Sequence, residues 1–249
     1  SVNRTEAKTV LTNAYPGSEF IRTRDANFRP LWAETAPDGR MLLVDMHRGI
    51  IQQGNWTRPG SYLRGVIDKW GLDKNVGKGR IYRLVHRDFK PGPQPRMLDE
   101  KTVELVKHLS HPNGWWRDTA KKLIVLREDR SSVIPALKDL ALRGKTELGR
   151  ANALWTLEGI GAIDADTVAS ALGNNSIMVK VQALRVGEPL IGEGDQKVVS
   201  SILQLGELSG SPNAEVATQV INSIVLSGTQ NEDLLALADE VGAEPGALE

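Results

Sequence analysis

Residues 27–52, NFRPLWAETAPDGRMLLVDMHRGIIQ, decide how the first part of the chain folds. Two β-type runs, 31–36 and 40–47, flank Pro37-Asp38-Gly39. Pro presets the entry of a turn and Gly tolerates a positive φ, so the segment predicts a β-hairpin. Folded about Asp38 and Gly39, it pairs positions whose numbers sum to about 77. Leu31 then faces Met46, and Arg29 comes close to Arg48. Like charges opposite one another on paired strands repel. Such a mouth calls for something negative: a carboxylate of the chain itself or an anionic ligand.

Working outward, SEFIRT (18–23) and GRIYRLVHR (79–87) read as further strands beside LWAETA (31–36) and RMLLVDMH (40–47). SYLRGVIDKWGL (61–72) predicts a short helix, with Tyr62, Val66, Ile67 and Trp70 at helical spacing and Gly71 as its stop. Four strands with one helical insertion have the size of a single β-propeller blade. A lone blade has two bare edges. DFKPGPQPRML (88–98) is too rich in proline for helix or central strand and reads as a stiff linker.

From Asp99 onward the pattern is helical and repeats. Four helix pairs follow one another, and NEDLLALADEV (231–241) caps them. The second helices of the pairs align on Arg117, Arg150, Lys180 and Glu215, and an alanine stands three residues on in three of them (Ala120, Ala153, Ala183). A period near 30 to 35 residues with two helices per unit marks an α-solenoid. The expected fold is therefore α+β by segments. An antiparallel β-propeller blade spans 1–87, a Pro-rich linker 88–98, and a HEAT-like α-helical solenoid 99–249.

Composition narrows the function classes. Lys plus Arg equals Asp plus Glu, 31 each, which argues against bulk attraction to nucleic acid or an anionic membrane. There is no apolar run of about 18 residues that could span a bilayer. The chain has no cysteine, which excludes disulfides, thiolate metal sites, a thiol nucleophile and covalently attached c-type haem within it. It opens on Ser1 without a signal-peptide pattern, so a removed leader or a segment of a longer protein is expected.

VNRTE (2–6), AYPGSEF (14–20), FRP (28–30), PDGRMLLVDMHRGIIQ (37–52), GLDKNVGKGRIYRLVH (71–86) and SHPNGWWRDTA (110–120) follow one another in an order that resembles one family. These are bacterial periplasmic or membrane-associated dehydrogenase-like proteins. They have a propeller of the glucose/sorbosone dehydrogenase type, followed by HEAT repeats and often a c-type cytochrome domain. The resemblance covers roughly residues 1 to 190. Most of the propeller and the Cys-x-x-Cys-His motif have no counterpart in this chain. The resemblance implies a final blade plus repeats, an extracytoplasmic location, and the remaining blades and a c-type cytochrome as partners.

Under that resemblance Arg29 and Arg48, with Asp45 beside them, bind the carboxylates of a quinone cofactor such as PQQ shared with other blades, since guanidinium forks suit planar carboxylates. His47 would serve as a general base. The alternative is that Asp45 and Asp25 neutralise the arginines and His47 is a surface loop residue. Trp115 and Trp116 open the second helix of the first pair behind Asn113, a suitable N-cap. They form an aromatic wedge between blade and solenoid or a docking point for an electron-transfer partner. GKGR (77–80) reads as a turn into a strand, and His86, His108 and His111 lack zinc-ligand spacing, so no metal site is expected.

Two functions stand side by side. The chain is the C-terminal portion of a quinoprotein sugar or alcohol dehydrogenase-like protein, or it is a non-catalytic HEAT-repeat scaffold. In either case the chain alone is expected to bind no cofactor.

Overall fold

Pro37, Asp38 and Gly39 close the hairpin. The Gly39 N–H donates to the Ala36 carbonyl at 2.9 Å, and the Ala36 N–H donates to the Arg40 carbonyl at 2.7 Å. Asp38 accepts the Arg40 backbone N–H and its guanidinium. Gly39 takes φ 88°, the positive value that ends this kind of three-residue loop. The structure is a computed structural model that describes residues 2–4, 9–51, 54–207 and 213–243. They form two compact units. One is Ala14–Pro95, and the other joins Arg96 onward with the residues up to Asn13.

Strands β1 (Val2–Arg4) and β2 (Thr9–Leu11) pair antiparallel, Val2 opposite Leu11. No strand was expected there. In the unit Ala14–Pro95, β3 (Pro30–Thr35), β4 (Met41–Asp45) and β5 (Arg80–Leu84) form an antiparallel sheet in the order β3-β4-β5. Thr35 faces Met41 and Trp32 faces Val44, after which the register shifts so that Pro30 faces Asp45. The irregularity falls at Leu31, so Leu31 does not sit opposite Met46. Instead the Met46 N–H donates to the Arg29 carbonyl at 3.0 Å.

The expected strand at 18–23 is not formed. Local bonds hold that segment: Ser18 N–H to the Tyr15 carbonyl, Asp25 N–H to Thr23 Oγ1, and Asn27 N–H to the Asp25 carboxylate. Side-chain turns of this sort compete with a sheet ladder. Helix α1 (Tyr62–Trp70) starts on the Ser61 cap and ends on Gly71 in the left-handed conformation. Of its apolar residues only Ile67 is fully buried, whereas Tyr62 is 89% and Trp70 67% exposed. The Pro-rich stretch is irregular, but its first half is fastened to the hairpin turn. The Gly92 N–H donates to the Asp38 carbonyl, and the Arg40 guanidinium lies over the Phe89 ring. Met97, at its far end, is buried in the helical core.

The second unit contains α2 (Thr102–Leu105), α3 (Gly114–Leu126), α4 (Ile134–Arg143), α5 (Glu147–Gly159), α6 (Ala165–Leu172), α7 (Ile177–Val186), α8 (Glu188–Gly192), α9 (Gln196–Glu207), α10 (Ala214–Ser227) and α11 (Glu232–Ala243). α4 pairs with α5, and α6 with α7. α4, α6, α9 and α11 pack in succession, and so do α3, α5, α7 and α10, which makes two rows. Each helix of the second row begins with a capping side chain, Asn113, Thr146, Ser176 or Asn213, that accepts a first-turn N–H. These caps are 33, 30 and 37 residues apart.

Seven residues into each helix stand Ala120, Ala153, Ala183 and then Val220, all buried. Small residues there let neighbouring helices approach. Arg117 and Arg150 each reach back six residues to a carbonyl, of His111 and Gly144. Phased by the caps, their counterpart in α10 is Ala217 rather than Glu215, because the last interval is two residues longer than the sequence alignment allows. The helical pattern over 176–191, the second of the third pair, also breaks. Gly187 packs so closely that a Cβ would lie 2.9 Å from Val168, and Pro189 has no N–H to continue α7, so α8 starts anew. Leu105, Leu109, Ile124, Leu137, Leu154, Leu157, Leu184 and Ile202 are fully buried between the rows. At roughly 1.5–3 kcal/mol per buried aliphatic side chain, this core is what holds the array together.

Candidate site at the mouth of the hairpin

Asp45 ends β4 and is only 1% exposed. One oxygen accepts the backbone N–H of Arg29 (2.7 Å) and of His47 (2.8 Å), and the other meets His47 Nδ1 at 3.1 Å. Burial alone would raise the Asp45 pKa. The hydrogen bonds from Arg29, from the His47 amide and from the His47 ring outweigh it and hold the pKa below the ordinary carboxylate value. An ionised carboxylate only accepts, so the His47 Nδ1 carries a proton.

His47 is the only non-glycine residue with positive φ (48°) among the described residues. That conformation turns the chain back after β4 and lays the ring on Asp45. The Asn75 side chain pins the turn by donating to the His47 carbonyl at 2.6 Å. A residue held this way stores strain that its surroundings must offset, a pattern common at functional sites. His47 Nε2 faces the Asp25 carboxylate at 3.9 Å, beyond hydrogen-bond length. Asp25 is exposed, and its pKa is lowered mainly by the Asn27 backbone N–H, with help from the Asn27 side chain, His47 and Arg80.

The arginines differ from the expected matched pair. The Arg29 guanidinium donates to the Phe28 carbonyl (2.8 Å) and across the mouth to the Gly49 carbonyl (2.9 Å). Its fork is therefore turned to the chain's own backbone. Arg48 is half-buried, and its Nε is buried without a hydrogen-bond partner among the described residues. The structure thus brings together Asp45, His47, Asp25 and the backbone of Arg29, with two carboxylates flanking one imidazole. Chemically this is an oriented histidine whose ring is nearly closed to solvent. It also locks the open end of the hairpin, joining the residue before β3, the turn after β4 and the 71–76 segment.

Trp116 is buried between two imidazoles, His111 stacked on it at 5.0 Å and His108 tilted to it at 5.1 Å. His108 is in turn bound to Glu100 at 2.8 Å. Trp115 meets Trp116 edge to face and packs half-buried against the helical core. Both indoles are parts of a packed aromatic cluster. Gly49 and Asn75 were not singled out in the sequence. Their partners are 20 and 28 residues away, and no local pattern announces them.

A protein-family profile described as a domain of unknown function (DUF7133) matches residues 2–88. The match takes in the whole hairpin and sheet, stops where the helical array has yet to begin, and carries no activity with it. No curated protein and no solved structure matches the chain.

Proposed function

We propose that this chain is a non-catalytic assembly module. In this reading the sheet adds as a terminal blade to a larger β-assembly of the dehydrogenase-like, propeller type. The two helical rows serve as a HEAT-like α-solenoid on which an electron-transfer protein such as a c-type cytochrome, or another partner, docks. The setting is extracytoplasmic. The observation that carries the reading is the state of the sheet. Every residue of β3 and four of the five in β5 are exposed, on either side of a half-buried β4. Among the described residues both edges offer unpaired backbone groups, the feature by which strands recruit further strands.

The Asp45–His47 pair fits this role as a latch that keeps the hairpin open to its neighbours. Arg29 is committed to carbonyls. Within a quinoprotein assembly, Arg48 is the half-buried arginine left to meet a cofactor carboxylate.

Hydrogen exchange on the full chain, alone and within its native assembly, tests the proposal. The outward-facing amides of β3 and β5 should exchange quickly in the free chain and become protected in the assembly. Unchanged exchange rejects the blade reading. Turnover of a sugar or alcohol by the purified chain supplied with PQQ and an artificial electron acceptor rejects the non-catalytic one.

A further inference from the structure

A cleft of about 630 Å³ runs across the start of the second helical row. α5 contributes Glu147, Asn152 and Trp155, α7 contributes Met178 and Gln182, and α10 contributes Glu215. Its size is that of a ligand site and its floor is apolar. Its charged lining is of one sign. Glu147 and Glu215 make no ion pair among the described residues, and no lysine or arginine lines the cleft. Trp155 is fixed in place, since its Nε1–H donates to Gln182 Oε1 at 2.7 Å. That bond leaves the Gln182 amide N–H groups to meet a carbonyl. The indole already carries a guanidinium, Arg185 at 5.4 Å from the ring centroid, which is the interaction a tryptophan face offers to cations.

We propose that this cleft binds an extended peptide segment of a partner protein that bears lysine or arginine at two positions. The inference rests on the docking role of the helical array proposed above and names the chemistry of the partner. α5 and α10 each pack against α7 from either side, so the two carboxylates stand on the flanking helices of a three-helix row. Neighbouring helices lie roughly 8–10 Å apart, which makes the row about 20 Å wide, the reach of about six extended residues. The two basic residues of the segment are therefore four to six positions apart. Met178 and the face of the Trp155 ring that Arg185 leaves uncovered receive their aliphatic stems, and Gln182 donates to the main chain between them.

The test is to pan a random twelve-residue phage-displayed library on the intact chain, then to titrate the enriched sequence, as a synthetic peptide, by calorimetry. Enrichment of sequences with two Lys or Arg at that spacing is expected. E147Q/E215Q should weaken the peptide about tenfold, and E147K/E215K should abolish binding. Both residues are exposed, so the Gln pair should hold the thermal midpoint, and the Lys pair, which places cations in the first turns of α5 and α10, should lower it slightly while the chain stays folded. M178W, which fills the cleft without changing its charge, should also block binding. If acidic or uncharged peptides are enriched and are lost only in M178W, the charge assignment is overturned while the docking role stands. If nothing is enriched, or if binding ignores all three variants, both are overturned.

Discussion

Replacing Asp45 tests whether its carboxylate is the latch of the hairpin. In Asp45→Ala the backbone N–H groups of Arg29 and His47 lose their acceptor, and the His47 ring loses its orienting partner. A buried donor left unsatisfied costs about 1–3 kcal/mol. The His47 amide is well buried and the Arg29 amide less so, so the opening of the mouth should become easier by about 2–4 kcal/mol. Asp45→Asn keeps an oxygen for both amides and forfeits the charge, which should cost about 1 kcal/mol. Amide exchange at Met46 reads this directly, because its own bond to the Arg29 carbonyl survives the substitution. A loss of 2–4 kcal/mol corresponds to exchange faster by about 30- to 1,000-fold in Asp45→Ala, and roughly fivefold in Asp45→Asn. Unchanged exchange at Met46 in Asp45→Ala would refute the latch. Equal damage from the two variants would show that charge, not acceptor count, matters there.

Acid should loosen the same unit. The folded-state pKa of Asp45 lies below its unfolded value, so the unfolded chain binds more protons and stability rises with pH. The contribution is complete above about pH 4 and is lost as pH falls through the lower folded value. Asp45→Asn should flatten that limb in a pH series of tryptophan-fluorescence melts. Gly49→Ala should destabilise the hairpin mouth by about 1–3 kcal/mol in urea melts, since a Cβ there would lie 2.7 Å from Leu72 Cβ and 2.8 Å from its Cα, with backbone that cannot swing aside. Ala153→Leu should lower the helical melting transition at 222 nm by a comparable 1–3 kcal/mol, because Ala153 is fully buried where α5 meets its neighbours.

The hairpin was legible because Pro37-Asp38-Gly39 is local chemistry, and the helical array because period 3.6 and the capping residues recur. The register was off because the shift at Leu31 depends on Asp45 pulling in the Arg29 amide, a pairing sixteen residues apart. Segment 18–23 has strand composition, yet Thr23, Asp25 and Asn27 bond their own backbone instead. β1 and β2 are three residues each, too short for alternation to show. The phase of the last helix pair was lost because α10 has neither the basic residue nor the alanine that marked the other three. At the candidate site the residue types were readable and their partners were not. Asp45 could be named as a neutralising carboxylate, but that Arg29 turns to Phe28 and Gly49 follows from the fold. The cleft on the second row draws on three helices and no single motif.

The tryptophans divide the chain in a way that bears on the assembly role. Trp115, Trp116 and Trp155 are all packed within the helical array. In the other unit Trp32 is 64% and Trp56 76% exposed, and Trp70 is scarcely better covered. An aromatic side chain offers about 150–250 Å² for burial, worth roughly 25 cal/mol per Å². Covering the exposed share of these three indoles would contribute about 8–13 kcal/mol, before the cost of association is subtracted. That is as much as the net stability of a typical domain. The helical rows have already realised this gain internally, through Leu, Ile and the small residues that let the helices close up. The sheet has not, because three strands and one helix with a single buried residue cannot cover both of its faces. The large free-energy gain still available to this chain therefore lies on the sheet unit, where a neighbouring blade would sit. The cleft on the helices offers only a short contact, whose selectivity comes from charge.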